Sequence, residues 1–255
     1  MFGKRILILV AHPDDEVVAC AASIGRARAE GATVSALYLT HGCLARDVLW
    51  PWQRRHCDCF IATRRAEAEA AALALGVHPV GWAARSARAL WREMPVVFDE
   101  VQTALTQYRP DQVWVPAYEG GNPDHDALNA IGAKLKARFS VLEFSEYNFF
   151  GGTAHSQTFI SPTSETRVVS LTLEERVAKK AALKIYASET GNLSGLGVEK
   201  ESYRPLSSYD YEEPPHQGTL GYARFQWVPF RHPRVDFTKP IEVSRAIAAF
   251  LSSAP

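Results

Sequence analysis

Continuous apolar segments with strand character alternate with helix-like segments through the first 150 residues. The strand-like segments are "RILILV" (5–10), "TVSALYL" (33–39), "QVWVP" (112–116) and "SVLEFSEY" (140–147). Helices are predicted at about 16–30, 62–76, 95–108 and 123–138. Strands that are apolar throughout are buried on both faces, which is typical of a parallel sheet covered by helices. The pattern therefore predicts an α/β fold: a Rossmann-like three-layer domain with a mostly parallel sheet.

The chain changes character after about residue 150. "RVVSLTL" (167–173) alternates like an exposed strand, and an amphipathic helix is predicted at 174–189. Residues 190–237 are rich in Pro, Gly, Tyr and Arg and have little periodicity, which indicates ordered loops lying over the domain, before a last helix at 239–252. A chain of 255 residues suits one large domain. We therefore predict a single domain, 1–255, with a core at about 1–150 and a loop-rich C-terminal cover segment at about 151–255.

The charge balance argues against a polyanionic partner. Lys plus Arg and Asp plus Glu both number 28, and no block of like charge occurs, so nothing predicts binding to nucleic acid or to an anionic membrane. The longest N-terminal apolar run, 6–11, is too short for a signal peptide core or a transmembrane segment. We expect a cytoplasmic protein whose partner is a small molecule. A homo-oligomer is left open.

The four cysteines do not predict a disulfide framework, because all of them lie in the first quarter of the chain. "HCDC" (56–59) contains metal-ligand residue types but lacks a second well-spaced ligand pair, so free thiols near a loop are favoured over a metal site. Cys20 lies in an apolar helical run and is predicted to be in the core. The sequence assigns no role to Cys43, Cys57 or Cys59.

Two similar loops follow strands of the predicted sheet: "AHPDDE" after the first strand and "GNPDHD" after "QVWVP". Ligands of open α/β sheets bind at the carboxyl ends of the strands, so these loops are the candidate site. Each proline favours the first position of a helix. Capping by Asn122, with Asp124 in the first turn, explains much of the second loop. Capping does not explain His12, His125 or the adjacent pair of acids in the first loop.

A metal site explains the remaining residues. His12, Asp15 and His125 would supply two imidazoles and a carboxylate, a ligand set typical of catalytic zinc with a fourth position left to water. Neighbouring side chains in a turn point in different directions, so Asp14 is free to face that water. Zinc lowers the pKa of bound water to about 7, and Asp14 would take its proton during attack on a carbonyl. This arrangement predicts metal-assisted hydrolysis of an amide or ester.

With these residues in place, the chain resembles the zinc-dependent N-deacetylases of the LmbE-like (PIG-L) family, which includes the N-acetylglucosaminyl-phosphatidylinositol de-N-acetylases. The hexapeptide "AHPDDE" at the end of the first strand carries most of the resemblance. "NPDH" matches the family's second motif, and "RRAEAEAAALALG" and "KKAALKIYAS" (179–188) match two further family patterns. The resemblance implies that His12, Asp15 and His125 are the zinc ligands and that Asp14 is the general base.

The resemblance implies roles for two further residues. Asp124 would orient a metal ligand from behind, and Arg64 would contact the polar side of the substrate. For Arg64 a solvated arginine on an Ala-rich helix is the alternative.

Three departures from the family pattern affect the substrate pocket. "THGC" places Cys43 where the family has an acid, and "GWAARS" replaces a Pro-Asp-Gly stretch. Asn122 stands where a histidine is expected to stabilise the tetrahedral intermediate. Asparagine can donate a hydrogen bond to an oxyanion but cannot pass on a proton. His216 in the loop-rich cover segment is a candidate catalytic replacement, with a purely structural role in fixing the loop as the alternative.

The sequence thus predicts a zinc hydrolase that removes an N-acyl group, with acetyl expected, from an amino sugar or an amino-sugar-containing small molecule. The alternatives are an amidase for a bulkier or non-sugar N-acyl substrate and a metal-binding protein with little or no turnover. A nucleotide-binding Rossmann protein is disfavoured because the first turn lacks G-x-G-x-x-G.

Overall fold

A seven-stranded sheet forms the centre of the molecule. In the computed structural model, which describes residues 2–253, the strands are β1 (Arg5–Val10), β2 (Thr33–Tyr38), β3 (His78–Trp82), β4 (Gln112–Pro116), β5 (Ser140–Ser145), β6 (Tyr147–Asn148), β7 (His155–Ser156), β8 (Arg167–Ser170) and β9 (Lys200–Pro205). The sheet order is β3-β2-β1-β4-β5-β9-β8, and β6 pairs with β7 separately. Strands β1 to β5 are parallel, while β9 and β8 are antiparallel to their neighbours. The predicted mostly parallel α/β fold is confirmed.

Helices cover both faces of this sheet. They are α1 (Asp15–Ala29), α2 (Pro51–Arg54), α3 (Cys57–Leu75), α4 (Met94–Tyr108), α5 (Pro123–Leu135), α6 (Leu173–Ile185), α7 (Thr190–Leu193) and α8 (Pro240–Ser252). Short 3-10 turns occupy Leu90–Arg92, Phe150–Gly152, Ala187–Glu189 and Gly221–Ala223.

Alternate side chains of each strand enter different cores. Ile6 and Ile8 of β1 pack with α1, α3 and α6, whereas Leu7 and Leu9 pack with α4, α5 and α8. The two cores give the predicted three layers.

Part of the cover segment belongs to the sheet and not to loops. Strand β9 lies inside the 190–237 stretch, so the prediction of loops alone is wrong for this part of the chain. Its sequence "KESYRP" has no apolar pattern. Glu201 can nevertheless be buried in this strand, because its side chain binds protein groups instead of water. The Glu201 carboxylate accepts hydrogen bonds from the Ala22 and Ser23 N–H groups and from Lys179 Nζ, each at 2.9 Å. The strand predicted over 140–147 is shorter than predicted, because it ends at Ser145.

The topology places the two candidate loops side by side. Strands β1 and β4 are paired in parallel, so their carboxyl ends meet at one edge of the sheet. The first loop leads from β1 into α1, and the second leads from β4 into α5. No helix within residues 2–253 is long and apolar enough to cross a membrane. That 1–255 forms a single domain stays a prediction.

Candidate active site

The turn after β1 separates the two adjacent carboxylates. Asp14 has a backbone φ of 131°, which is uncommon for a residue with a side chain. Its N–H donates to Glu16 Oε2 at 3.2 Å, and its carbonyl accepts from the Val18 N–H at 2.9 Å. The Asp15 side chain points back towards His12, and its Oδ2 accepts a hydrogen bond from the His12 N–H at 2.8 Å. Backbone strain of this kind clusters at functional sites, where the surrounding structure sustains it.

Three potential ligand atoms converge from the two loops. His12 Nδ1 lies 3.2 Å from His125 Nε2, and Asp15 Oδ1 lies 3.7 Å from the first and 3.4 Å from the second. His12 comes from the end of β1, whereas Asp15 and His125 lie in the first turns of α1 and α5. Asp15 and His125 are buried, and His12 is partly exposed. One small ion could therefore contact all three side chains.

The cluster fits zinc. Two imidazole nitrogens and one carboxylate form a zinc ligand set, and tetrahedral bonds of about 2.0–2.1 Å separate ligand atoms by about 3.3 Å. The three atoms lie within 4.8 Å of one another, and residues 2–253 contain no second such group of His, Cys, Asp or Glu. The residues present therefore suit the predicted cofactor, Zn²⁺.

Asp124 lies behind His12. Its Oδ2 is 3.1 Å from His12 Nε2 and also accepts from the Arg88 N–H at 2.6 Å, while Oδ1 accepts from the Leu90 N–H at 3.0 Å. Burial alone would lower the pKa of His12, but hydrogen bonds to Asp124 and Asp15 raise that pKa to about 10. A carboxylate in this position fixes the ring so that Nδ1 faces the cluster.

The sequence did not reveal the residue behind His125. Glu146 is buried at the end of β5, with Oε2 3.9 Å from His125 Nδ1 and Oε1 without a hydrogen-bond partner. Burial raises the pKa of Glu146, and the charges of Asp15 and Asp14 raise it further. The sequence "SVLEFSEY" predicts only a strand. The sequence signal that could have indicated Glu146 is an acidic residue at the carboxyl end of a strand that lies beside β4.

Arg64 is buried beneath the turn after β1. Its side chain donates from Nη2 to the Pro13 carbonyl and to Asp14 Oδ2 at 3.2 Å, and Nη1 lies 3.6 Å from Glu189 Oε1. It is only 2% exposed, so the alternative of a solvated arginine is wrong. Gly42, at a φ of 74°, allows this approach, since a Cβ there would lie 3.0 Å from Arg64 Nε. A contact from Arg64 to the substrate stays a prediction.

Asp14 and Asp15 have opposite electrostatic environments. Burial raises the pKa of Asp14; the Arg64 charge opposes this rise and the Asp15 charge adds to it. Burial would also raise the pKa of Asp15, but the charges of His125 and His12, with their hydrogen bonds, hold it well below its usual range. Asp15 is therefore held as a carboxylate, whereas Asp14 is shifted towards taking up a proton.

Asn122 caps α5, as the local sequence predicts. Its side-chain oxygen accepts from the Asp124 N–H at 2.9 Å. Its amide also lies within reach of the Tyr147 hydroxyl, whose ring packs edge-on against His125 at 5.8 Å between centroids. A Cβ at Gly121 would lie 2.3 Å from the Tyr147 carbonyl, so glycine permits this close approach. Tyr147 is a second site residue that the sequence did not reveal.

His216 lies outside the cluster, with its ring edge-on to Phe150 at 5.5 Å between centroids. Its Nδ1–H donates to the Gln217 carbonyl at 2.8 Å, and its buried Nε2 has no hydrogen-bond partner. The same segment pairs with the loop before α5 through the Gly221 N–H and the Gly120 carbonyl at 2.8 Å. His216 makes no hydrogen bond or ion pair with the other predicted site residues, all of which are described. Its catalytic role stays a prediction.

The cysteines are unpaired thiols. Burial raises the pKa of Cys43 to about 11, so this position carries no charge at neutral pH. Cys57 is buried at the start of α3, Cys59 is exposed, and neither belongs to the group that could hold a metal. Cys20 is buried, as predicted.

The fold and the cluster define a class of three-layer α/β proteins with a His–Asp–His group at the carboxyl edge of the sheet. The sequence pattern of the PIG-L family, GlcNAc-PI de-N-acetylase, matches residues 7–136, just over half of the chain. The chain belongs to this family. A comparison with curated proteins finds no match.

Solved structures of deacetylases share the fold. A deacetylase of teicoplanin biosynthesis is 20% identical with a TM-score of 0.63, over 81% of this chain and 99% of that one. The zinc-inhibited form of teicoplanin deacetylase is 18% identical with a TM-score of 0.61, over 81% and 99%. The N,N'-diacetylchitobiose deacetylase of Pyrococcus horikoshii is 19% identical with a TM-score of 0.52, over 79% and 83%.

Proposed function

We propose that this protein is a zinc-dependent hydrolase that removes an N-acyl group, with acetyl expected, from an amino sugar or an amino-sugar-containing small molecule. One observation carries the proposal: the ligand atoms of His12, Asp15 and His125 lie within 4.8 Å of one another, and the charges of Asp15 and His12 act on the buried carboxyl group of Asp14. Membership of the PIG-L family supports the same conclusion.

His12, Asp15 and His125 would hold the metal. Zinc, when bound, lowers the pKa of a water molecule to about 7 and polarises the amide carbonyl. Asp124 holds the His12 ring by its Nε2, which leaves Nδ1 directed at the cluster. Glu146 stands in the corresponding place behind His125.

Asp14 would act as the general base. Its carboxylate takes a proton from the attacking water, and the same proton then passes to the nitrogen of the leaving amine as the C–N bond breaks. Arg64 holds Asp14 Oδ2 at 3.2 Å, which fixes the carboxylate during both transfers. Burial raises the pKa of Asp14, which makes its carboxylate a stronger base than an exposed aspartate.

Asn122 would stabilise the developing oxyanion. Its amide can donate a hydrogen bond while the side-chain oxygen caps α5. The Tyr147 hydroxyl lies beside this amide. His216, with its unpartnered Nε2, is the other candidate for this position.

A second class of substrate is a candidate. Cys43 is uncharged where the family has an acid, which favours a bulkier or non-sugar N-acyl substrate. The expected compartment is the cytoplasm, which the unpaired thiols fit, and a homo-oligomer remains open.

The test is a screen of the zinc-loaded protein against N-acylated amino sugars, amino-sugar conjugates and simple N-acyl amines, with detection of both amine and carboxylic acid. Release of both products from the sugars supports the proposal, and release only from non-sugar amides supports the second candidate. Binding of zinc without turnover of any substrate class would support the alternative of a metal-binding protein.

Paired variants test the roles of the two acids. Asp14→Asn should retain zinc and lose ~10² to 10⁴-fold in kcat, the usual contribution of a general base. Asp15→Asn should weaken zinc binding itself. Equal loss of zinc in the two variants would contradict the proposed division of roles.

A further inference from the structure

Arg88 lies in the loop between β3 and α4 with a strained backbone. Its φ is 67°, a left-handed value that it shares with few non-glycine residues in the described chain. A residue with a Cβ adopts this region at a cost, and such conformations persist only where the surrounding structure sustains them. The contacts of Arg88 show what sustains it.

The backbone of Arg88 contacts Asp124, the carboxylate behind His12. Its N–H donates to Asp124 Oδ2 at 2.6 Å, and the same oxygen lies 3.1 Å from His12 Nε2. The left-handed φ sets the direction of this N–H relative to the peptide groups that follow it, and the Leu90 N–H donates to the other oxygen of the same carboxylate at 3.0 Å. A backbone that relaxed at Arg88 would change this relative direction, so the two N–H groups could no longer both hold Asp124.

The side chain of Arg88 contacts the cover segment. Nη1 donates to the Pro233 carbonyl at 3.1 Å and to the Val235 carbonyl at 3.4 Å, and Nε lies 3.4 Å from Asp236 Oδ2. Asp236 is buried and its Oδ2 has no hydrogen-bond partner, so the guanidinium is the cation that faces it. One residue therefore joins residues 233–236 to the group that orients His12.

We propose that Arg88 is a positioning residue that couples docking of residues 233–236 to the orientation of His12. The guanidinium, anchored on 233–236, keeps the Arg88 backbone left-handed, and the N–H then holds Asp124 against the ring. The proposal rests on His12 being a metal ligand in the proposed function. It does not depend on which substrate the enzyme takes.

Two variants separate the side chain from the backbone. Arg88→Ala removes the anchoring side chain but keeps a Cβ, so the left-handed backbone at residue 88 stays strained and should relax. Zinc affinity should then fall about tenfold, which is the lower end of the effect of losing a group that orients a metal ligand. Arg88→Gly also removes the anchor, but glycine adopts a φ of 67° without strain. Its zinc affinity should stay within about twofold of the natural protein.

Zinc affinity is measured by competition with a chromogenic chelator, and docking by amide hydrogen exchange of residues 234–238. Exchange should accelerate in both variants, while zinc affinity falls in Arg88→Ala alone. If the alanine variant does not fold, Arg88→Lys replaces it, since lysine keeps the strain but cannot span the three acceptors. Arg109→Gly is the control, because Arg109 is also left-handed, at a φ of 46°, and ends α4 away from the cluster.

Equal zinc affinity in the alanine and glycine variants would overturn the proposal, whether both are weakened or both are unchanged. Unaltered exchange of 234–238 in Arg88→Gly would also overturn the proposal, because the side chain would then not anchor that segment. None of these measurements uses a substrate. A protein that binds zinc as described but hydrolyses no N-acyl compound refutes the proposed function and leaves this inference intact.

Discussion

Replacing Asp124 by asparagine should weaken both zinc binding and the fold. The Asp124 side chain is fully buried and accepts from two backbone N–H groups, those of Arg88 and Leu90, while Oδ2 also faces His12 Nε2. Asparagine has only one oxygen, so its NH₂ must point at one of the two N–H donors. At least one hydrogen bond is lost with a donor left buried, which costs about 1–3 kcal/mol of folding free energy.

The effect on zinc follows from the orientation of His12. An amide oxygen beside His12 is neutral and a weaker acceptor than the carboxylate, and an NH₂ beside His12 removes the acceptor altogether, so in either orientation Nδ1 is held less firmly as the ligand atom. Loss of such a partner usually lowers metal affinity by about 10- to 100-fold. Chelator competition at pH 7 measures the affinity, and thermal unfolding of the metal-free protein measures the stability.

Asp126→Asn is the matched control in the same helical turn. Asp126 is also fully buried, but only Oδ1 is used, accepting from the Glu119 and Gly120 N–H groups at 3.2 and 3.0 Å. Its Oδ2 has no hydrogen-bond partner, and burial raises its pKa to about 8, so asparagine resembles the protonated form. Zinc affinity should be unchanged and stability equal or higher. Equal loss of zinc affinity in both variants would contradict this reasoning. The loss would then come from removing an acidic residue at the start of the helix, and not from the contact with His12.

Three further predictions concern pH, the cover segment and the metal. Burial raises the pKa of Glu119 to about 7, so the folded state keeps a proton that the unfolded state releases. The free energy of unfolding should therefore fall by ~1.4 kcal/mol per pH unit as the pH rises from about 4.5 to 7. Glu119→Gln should flatten this slope, as measured by urea titrations at several pH values. Lys179→Met leaves the buried Glu201 carboxylate without its cation, which should lower the free energy of unfolding by about 3–5 kcal/mol. The whole chain should still unfold in one cooperative transition, and two separate transitions would contradict the prediction of a single domain. His12→Ala with His125→Ala should abolish zinc retention after dialysis, and unchanged zinc content by elemental analysis would refute the metal site.

The local sequence determined the elements that carry the predicted metal ligands. Strands β1 and β4 run over the predicted residues, since an uninterrupted apolar run is buried whatever surrounds it. Pro123 and the Asn122 cap set the start of α5, because a helix start depends on residues next to each other in the chain. Two histidines and a surplus acid at such points already suggested a metal.

Only the tertiary structure decided what surrounds those ligands. Strand β9 lacks an apolar pattern because Lys179 and the backbone of α1 satisfy Glu201, and these partners lie 22 and about 180 residues away. Glu146 behind His125 and Arg88 behind Asp124 likewise depend on strand pairing and loop packing. Periodicity reports how a residue relates to its near neighbours in sequence. A hydrogen bond between distant segments leaves no periodic trace, so these contacts are visible only in the folded molecule.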